Sequence, residues 1–261
     1  MKIYFQSKLT HYSAIYEAEV LIIANFSEKK KIMCGRFSLT TEEQQLNKFF
    51  KLSGGTEPYV PRYNGAPTQQ MAIIAAEEVL RLQYFRWGLI PSWTKEIPRS
   101  TPVINARAET LSEKASFRQA LKSRRCLVPA DGFYEWTHSG KKQPYRFVMD
   151  DESPFAMAGI WEYWKGKGSE LIRSFAIITT TPNELMEPVH NRMPVILKPE
   201  NYEEWLFSHQ LANVQSLLVP YPSKKMKKYK VSDLVNSVKS EGPLLIKPAE
   251  QPDLFGDADS D

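Results

Sequence analysis

The strongest constraint on the fold is a series of short apolar runs through the middle of the chain, rich in β-branched and aromatic residues and separated by turn residues. We predict strands at residues 71–75, 80–87, 126–129, 133–136, 145–149, 155–161 and 175–179. Helical signals lie between these runs and not after each one. The chain therefore lacks the regular alternation of strand and helix that a parallel sheet requires, which predicts an α+β domain with a mostly antiparallel β core.

Three helices are predicted from start signals. Thr40 with Glu43 forms a capping-box pattern for a helix through Phe50, and Thr110 with Glu113 forms another for a helix through Leu121. Pro199 is a residue typical of the first helical position and predicts a third helix.

Composition narrows the function classes without selecting one. The chain has 261 residues, 42% of them hydrophobic, which suits one sizeable core. Its net charge of +4 is compatible with phosphate binding. The two cysteines, Cys34 and Cys126, form neither a disulfide framework nor a zinc-ligand pattern, so we expect a reducing cytoplasm and no metal. We find no apolar run of spanning length and no export signal.

Six short motifs carry the functional interpretation. They are Met33-Cys34-Gly35-Arg36-Phe37, Asn64-Gly65-Ala66-Pro67-Thr68, Trp87-Gly88-Leu89-Ile90-Pro91-Ser92-Trp93, Asn105-Ala106-Arg107-Ala108-Glu109-Thr110, Asp131-Gly132-Phe133-Tyr134-Glu135-Trp136 and His190-Asn191-Arg192-Met193-Pro194. In this order they resemble the SOS-response-associated peptidase (SRAP) family, the abasic-site processing proteins. The resemblance covers about 33–248. It implies a curved, barrel-like β core with peripheral helices, a DNA-binding cleft, and no metal or organic cofactor.

The family's nucleophile is the cysteine after the initiator methionine, which corresponds to Cys34. An N-terminal cysteine carries an amine and a thiol on adjacent carbons, so it can form a Schiff base with the aldehyde of an open abasic sugar and then close a thiazolidine ring. An α-amino group loses its proton at lower pH than a lysine side chain, which makes it the better nucleophile here. The alternative is that Cys34 is a small buried apolar residue.

The resemblance assigns three further catalytic residues. Glu135 transfers protons, His190 protonates the sugar ring oxygen and promotes reversal of the crosslink, and Asn105 orients the sugar or the amine. An exposed strand glutamate and a structural histidine are the alternatives for the first two. Asn105 is equally compatible with a turn or strand position. The other histidines, His11, His138 and His209, lie outside the motifs and are interpreted as structural or surface residues.

A second set of residues is assigned to DNA binding. The forked guanidinium groups of Arg36, Arg107 and Arg192 suit phosphate oxygens. Pro67 and Trp93 lie in predicted loops where an apolar side chain could wedge beside an exposed base. The set is completed by Thr179, which resembles a family position near the site and is also compatible with a simple strand polar group.

The two ends of the chain are treated separately from the domain at 33–248. Residues 1–32 are interpreted as an N-terminal extension, either a cleaved propeptide or a misassigned start before Met33, because Cys34 within a peptide bond has no free amine. Residues 249–261 are predicted to be a disordered acidic tail. Within it, Gln251, Leu254 and Phe255 belong to a pentapeptide that resembles a motif for docking on the bacterial replication sliding clamp.

The sequence therefore predicts a cytoplasmic, monomeric bacterial protein that reacts through Cys34 with abasic sites in single-stranded DNA or at single-strand/duplex junctions, as part of the SOS response to DNA damage. Autopeptidase and lyase activities are also expected from the resemblance. Two alternatives stay open: a cysteine peptidase acting on other proteins, and a noncovalent single-strand DNA-binding module. The first predicts peptide cleavage without DNA, and the second predicts complexes that survive loss of Cys34.

Overall fold

The computed structural model describes residues 35–53, 58–76, 79–97, 102–138, 140–166 and 171–249. Cys34, the extension at 1–32 and the predicted clamp motif with Gln251, Leu254 and Phe255 lie outside the described residues. The predictions for these parts of the chain therefore stay predictions.

The described residues form strands and short helices in an irregular order along the chain. The strands are β1 (Phe37–Leu39), β2 (Arg62–Gly65), β3 (Gln70–Ala75), β4 (Gln83–Trp87), β5 (Asn105–Arg107), β6 (Arg125–Ala130), β7 (Gly132–Trp136), β8 (Pro144–Met149), β9 (Phe155–Lys165), β10 (Leu171–Thr180), β11 (Met193–Pro194), β12 (Ile196–Leu197) and β13 (Met226–Lys230). The α-helices are α1 (Glu43–Phe49), α2 (Ala115–Ser123), α3 (Tyr202–Phe207) and α4 (Leu211–Ser216). The 3-10 helices are Ala108–Thr110, Pro199–Asn201, Ser223–Lys225, Asp233–Asn236 and Pro243–Ile246.

Five strands close into a barrel. The order β10-β4-β3-β6-β9 returns to β10 through a seven-residue antiparallel pairing between β9 and β10. Only the β4–β10 pairing in this ring is parallel. The short strand β5 pairs in parallel with β10 beyond β4, while β11 pairs with the end of β10 and β12 with the start of β9. The predicted α+β fold with a curved, mostly antiparallel core is confirmed.

A second sheet, with the order β13-β8-β7-β1-β2, is antiparallel throughout and packs on the barrel. Its apolar face contributes Phe37, Phe133 and Phe147 to a buried cluster with barrel residues such as Trp87. The rings of Phe37 and Trp87 lie 5.0 Å apart. Burial of these large rings supplies the main apolar contact between the two sheets.

The helices cover the opposite face of the barrel strands, where Leu46, Leu121 and Trp205 pack on small strand residues. Arg125, which is buried, ties two helix ends together. Its guanidinium donates to the carbonyl oxygens of Leu121 (2.7 Å) at the end of α2 and Ser208 (2.6 Å) after α3. These carbonyls have no intrahelical partner, so one side chain satisfies both helix ends.

The first capping box was wrong. Helix α1 begins at Glu43, and its N-cap residue Glu42 makes no side-chain cap. The Thr40 hydroxyl instead donates to Asp131 (2.8 Å), because Asp131 gathers several donors from this segment. The second box was wrong in the same way, since the chain first forms the 3-10 helix at Ala108–Thr110 and α2 begins only at Ala115.

The strand predictions were more accurate. Strands β6 and β7 differ from their predicted bounds by one residue at each end or less. Strand β4 begins at Gln83 and not at Leu80, whereas β9 runs on to Lys165. Pro199 opens the 3-10 helix that leads directly into α3, as predicted. Among the described residues, no helix has the length and apolar composition that crossing a bilayer requires.

Candidate functional site

The first side of the candidate site is formed by β1 and β7 in the second sheet. Phe37 pairs with Phe133, and the Tyr134 amide donates to the Arg36 carbonyl (2.9 Å). Continuing this antiparallel register brings Gly35 opposite Glu135. Glu135 is 2% exposed, which excludes the alternative of an exposed strand glutamate. A buried carboxyl group therefore lies beside the start of β1.

Arg36 uses its guanidinium inside the protein. Nη1 donates to Asn64 Oδ1 (2.8 Å) and to the Val235 carbonyl (2.6 Å), and the group lies 5.6 Å from the centre of the Trp136 ring. Burial lowers the pKa of Arg36 to about 10, against the opposing negative potential of Tyr134 and Glu241. These contacts connect β1 to β2 and the C-terminal segment. The predicted role of Arg36 in phosphate binding stays a prediction.

A buried ion pair stabilises this side of the site. Asp131 Oδ1 accepts from Arg146 Nη2 (2.9 Å) and from Ser38 Oγ (2.7 Å), while Oδ2 accepts from the amides of Thr40 and Thr41. Burial, the largest single effect, acts to lower the pKa of Arg146, but the charge of Asp131 together with contributions from Tyr229 and Tyr134 holds that pKa above its usual value. In the sequence, Asp131 appeared only as the first residue of a motif and was assigned no role of its own. Its place directly before Gly132 and β7 makes it an anchor of the motif.

The second side of the site lies where β5, β10 and β11 meet. Arg107 pairs with Thr179, Thr179 pairs with Pro194, and Asn105 pairs with Ile177 two residues earlier. Because side chains two residues apart project from the same face of a strand, Asn105 and Arg107 share one face of β5. The structure thus brings together three predicted residues, of which Thr179 is fully buried and Arg107 is exposed.

Arg192 completes this side through a bidentate ion pair that the sequence analysis did not predict. Its Nη1 and Nη2 donate to the two carboxylate oxygens of Glu109 (2.6 and 2.9 Å), and Nη2 also donates to the Thr179 carbonyl (2.6 Å). The hydrogen bond from Arg192 lowers the pKa of Glu109, with smaller contributions from the charges of Arg192 and Arg107, while desolvation opposes the shift. Glu109 belongs to the Asn105–Thr110 motif, which was the available signal.

His190 is held by the backbone two residues ahead. Its Nδ1 accepts from the Arg192 amide (3.0 Å) and lies 3.2 Å from the Arg192 carbonyl. In the neutral ring, an accepting Nδ1 puts the proton on Nε2; in the protonated ring, Nδ1–H has the carbonyl as acceptor. This backbone pair therefore accommodates both protonation states of a side chain that is only 3% exposed.

The two sides of the site meet at a pair of imidazole rings. The ring of His138, two residues beyond β7, lies with its centre 4.5 Å from that of His190, and the ring planes are inclined by 48°. His138 was interpreted as lying outside the site because it belongs to no motif. Its closeness to β7 along the chain was a weak signal for this placement.

The predicted wedge residues lie in two separate loops. Pro67 precedes Thr68, whose φ of 74° is unusual for a β-branched residue. This conformation is held at both ends, because the Thr68 amide donates to the Trp87 carbonyl (2.8 Å) and Arg86 donates to the Thr68 carbonyl (3.3 Å). Trp93 is 66% exposed, and its loop is fixed by a hydrogen bond from Trp164 Nε1 to the Thr94 carbonyl (2.7 Å).

Within the described ranges, no group of three or more histidine, cysteine, aspartate or glutamate side chains is arranged to hold a metal ion. Cys126 is buried, and burial raises the pKa of its thiol well above the usual range. A neutral, inaccessible thiol is a poor nucleophile. Cys126 is thus a core residue.

Comparison with known proteins agrees with the motifs. The sequence pattern of the family described as SOS response associated peptidase (SRAP) matches residues 33–238. The chain belongs to this family. It is similar to the abasic site processing protein YoqW of Bacillus subtilis, with 46% identity over 222 residues that cover 82% of this chain and 99% of the relative.

More distant relatives and solved structures extend this agreement. The abasic site processing protein HMCES of Mus musculus is 30% identical over 239 residues, covering 74% of this chain and 67% of the relative. A crystal structure of a protein from Bacteroides thetaiotaomicron superposes with a TM-score of 0.73 at 31% identity, covering 83% of this chain and all of that one. A second, from Bordetella bronchiseptica, has a TM-score of 0.69 at 27% identity, covering 76% and 100%. The SRAP fold and family membership are confirmed.

Proposed function

We propose that this SRAP protein processes abasic sites in single-stranded DNA by forming a covalent thiazolidine crosslink through Cys34, whose amine is freed when the preceding residues are absent. The relatives named as abasic site processing proteins support the general activity. The covalent chemistry is what the family resemblance implies for Cys34, together with the amine and thiol that an N-terminal cysteine carries.

The reaction balances with the loss of one water. The α-amino nitrogen of Cys34 attacks the C1′ aldehyde carbon of the ring-opened sugar, and the carbinolamine hydroxyl leaves as water to give a Schiff base. The Cys34 sulfur then adds to the imine carbon, and the thiol proton passes to the nitrogen. No oxidant, metal or organic cofactor enters either step.

The observation that carries this proposal is the register of β1 and β7. Cys34 directly precedes Gly35, which the register brings opposite the buried Glu135. From this adjacency in the chain we infer that the amine of Cys34 reacts near the Glu135 carboxyl group. Glu135 then accepts the proton released by the amine and returns it to the departing hydroxyl. This assignment needs no movement of β1.

His190 and Asn105 are proposed to act on the sugar. The Nδ1 contacts of His190 with the Arg192 backbone suit a ring that changes protonation state, as opening of the cyclic sugar requires. Asn105 offers both a donor and an acceptor from β5 and orients the sugar. His190 protonates the ring oxygen during opening and promotes the reverse reaction.

The DNA strand is proposed to run along the exposed Arg107 and Trp93, with Arg192, Thr179 and Pro67 alongside. Arg107 supplies a phosphate contact, and Trp93 supplies a flat apolar surface for a base, since stacking on an aromatic ring tolerates any base. Arg36, whose guanidinium is hydrogen-bonded to Asn64 and Val235, supports the start of β1, which follows Cys34 in the chain. The tail residues Gln251, Leu254 and Phe255 are proposed to dock on the sliding clamp.

The test is a denaturing gel of abasic single-stranded DNA mixed with the chain beginning at Met33, after removal of that methionine. A heat-stable shifted band is expected, and Cys34→Ala is expected to abolish it. Cys126→Ala, which removes the other cysteine, should leave the band intact if the protein folds. The full-length chain, with no free amine at Cys34, should give no band.

Other outcomes identify the alternatives. A complex that is visible in native gels, absent in denaturing gels and unaffected by Cys34→Ala would establish a noncovalent single-strand binder. Cleavage of a protein substrate without DNA, lost in Cys34→Ala, would establish a peptidase. The first result would overturn the crosslinking proposal, and the second would overturn it when no band forms in the denaturing gel.

A further inference from the structure

His138 makes a contact that its position outside the motifs did not predict. Its ring centre lies 4.5 Å from that of His190, so the two imidazoles are in van der Waals contact. The loop that carries His138 is tied at its base, because the Thr137 amide donates to the Gln143 carbonyl (3.1 Å) and the Thr137 hydroxyl donates to the Lys141 carbonyl (3.2 Å). The contact is therefore built on an anchored hairpin.

The two rings differ sharply in exposure. His190 is 3% exposed, whereas His138 is exposed. Charged side chains on the neighbouring elements include Arg192 and Glu109, which pair with each other, Glu187 in the same turn as His190, Glu135 on β7 and Arg107 on β5. Among these neighbours, the ring of His138 lies in direct contact with that of His190, and both rings are imidazoles, which can take up a proton.

Two imidazolium cations at this separation repel each other, because a second like charge nearby disfavours ionisation. One imidazolium beside one neutral ring is favourable, since a cation is attracted to an aromatic face. A contact of this kind therefore favours the state in which one of the two rings is protonated and the other is neutral.

We propose that His138 is a positioning residue that acts through His190. Only one of the two rings is protonated at a time, because protonation of the exposed ring disfavours protonation of the buried one. This inference rests on the proposed role of His190 in opening the sugar and reversing the crosslink. Its consequence is a pH profile for crosslink reversal set by two histidines, with His138 suppressing protonation of His190 on the acid side.

The first test needs no DNA. The ring resonances of His190 are followed by NMR as a function of pH in the protein beginning at Cys34, in His138→Phe and in His138→Gln. Phenylalanine keeps an aromatic ring and glutamine keeps polarity, but neither titrates. Both variants are expected to raise the midpoint of the His190 titration by about one pH unit and to remove any second inflection. His209→Phe, an exposed histidine outside the site, is the control and should change nothing.

The contrary results are distinct. An unchanged His190 midpoint in both variants would overturn the proposal. A wild-type midpoint in His138→Phe with a shift only in His138→Gln would show that ring packing, and not the proton, is what matters, and would also overturn it. Because His138 is exposed, both variants are expected to fold, which thermal unfolding checks.

The second test asks whether the His138–His190 contact affects reversal of the crosslink. The rate of release of preformed abasic-DNA crosslinks is measured from pH 5 to 8 in the wild type and in His138→Phe. The acid limb of the profile should move to higher pH in the variant by the same amount as the His190 midpoint. If the wild type forms no crosslink while the NMR coupling is present, the proposed function fails and the histidine pair stands. If crosslinks form and both profiles coincide, the histidine proposal fails alone.

Discussion

Each side of the candidate site contains an arginine–carboxylate ion pair, and the two pairs differ in how deeply they are buried. On the β1–β7 side, Asp131 and Arg146 form an ion pair in which each side chain is 8% exposed. On the β5–β10–β11 side, Arg192 pairs with Glu109, whose side chain is 48% exposed. The buried carboxylate also accepts from two backbone amides, those of Thr40 and Thr41, whereas Glu109 receives a fork from a single guanidinium.

This difference in burial separates an ion pair that stabilises the fold from one whose carboxylate can be replaced by another anion. A buried ion pair that also holds backbone amides cannot be broken without stranding a charge and several donors, so it fixes the strand that leads back to Cys34. A half-exposed pair is screened by water and contributes little to stability. Arg192 itself is only 11% exposed, so a competing phosphate has to displace the Glu109 carboxylate to reach it. We therefore interpret the β1–β7 side as the rigid half of the site, and we propose that the β5–β10–β11 side is the half that contacts DNA.

The largest expected effect is the loss of the buried pair. Asp131→Ala leaves Arg146 buried without its carboxylate and removes acceptors from Ser38 and Thr40, so the free energy of unfolding should fall by about 3–5 kcal/mol. Urea unfolding followed by circular dichroism measures this.

The control is Asp233→Ala, which removes a surface ion pair with Lys141 whose two side chains are largely exposed. It should change stability by about 1 kcal/mol or less. A loss of similar size in both variants would contradict the larger stabilisation that we assign to the buried ion pair.

On the β5–β10–β11 side we predict a smaller effect, which is a gain in DNA affinity and not a loss of stability. Glu109→Gln removes the carboxylate partner of Arg192 and raises the local positive charge. Undamaged single-stranded DNA should bind several-fold more tightly at low salt, and the slope of log affinity against log salt should steepen by about one. Fluorescence anisotropy at several salt concentrations measures both quantities.

Glu113→Gln is the matched control, because this exposed glutamate lies four residues further along the chain and has the same charge. It should have less effect on DNA affinity. Equal effects of the two variants would show that net charge alone is responsible and that the Arg192 pair has no special role.

Sequence reasoning predicted the strands well because β6, β7 and β9 are long apolar runs whose burial is already specified by composition. It did not predict the strands β1, β2 and β5, which have three or four residues each and are stabilised by their neighbours. The capping box at Thr40 failed for a tertiary reason, since Asp131, about ninety residues away, takes the hydroxyl.

The candidate site shows the same division. The motifs identified Glu135, His190 and Arg107, and the family resemblance added Thr179; the structure places each of them at one of the two sides that meet at the His138–His190 contact. Glu109 and His138 were not assigned, because pairing between side chains distant in sequence depends on the barrel closing. Arg36 belongs to a motif, yet its guanidinium is directed to Asn64 and Val235. A motif therefore marks a residue as important without distinguishing support from contact.

The smallest expected effect concerns acid pH. Because the hydrogen bond from Arg192 lowers the pKa of Glu109, the native state holds this carboxylate ionised to lower pH than the unfolded chain does. The pair's stabilisation is then fully present above the ordinary glutamate pKa and is lost as pH falls through the lower native value. Carbon-detected NMR of the Glu109 carboxyl should show its midpoint rising toward the ordinary value in Arg192→Gln. An unchanged midpoint would contradict the pairing.

The most direct test of the central claim is the intact mass of the product formed by the chain beginning at Cys34 and an abasic oligonucleotide. We expect the sum of the two masses less one water, formed only with Cys34 present and unchanged by borohydride, because a closed thiazolidine has no imine to reduce. An adduct that gains the mass of two hydrogens on borohydride treatment would show a Schiff base without ring closure. No adduct from a folded protein with a free Cys34 terminus would contradict the covalent mechanism.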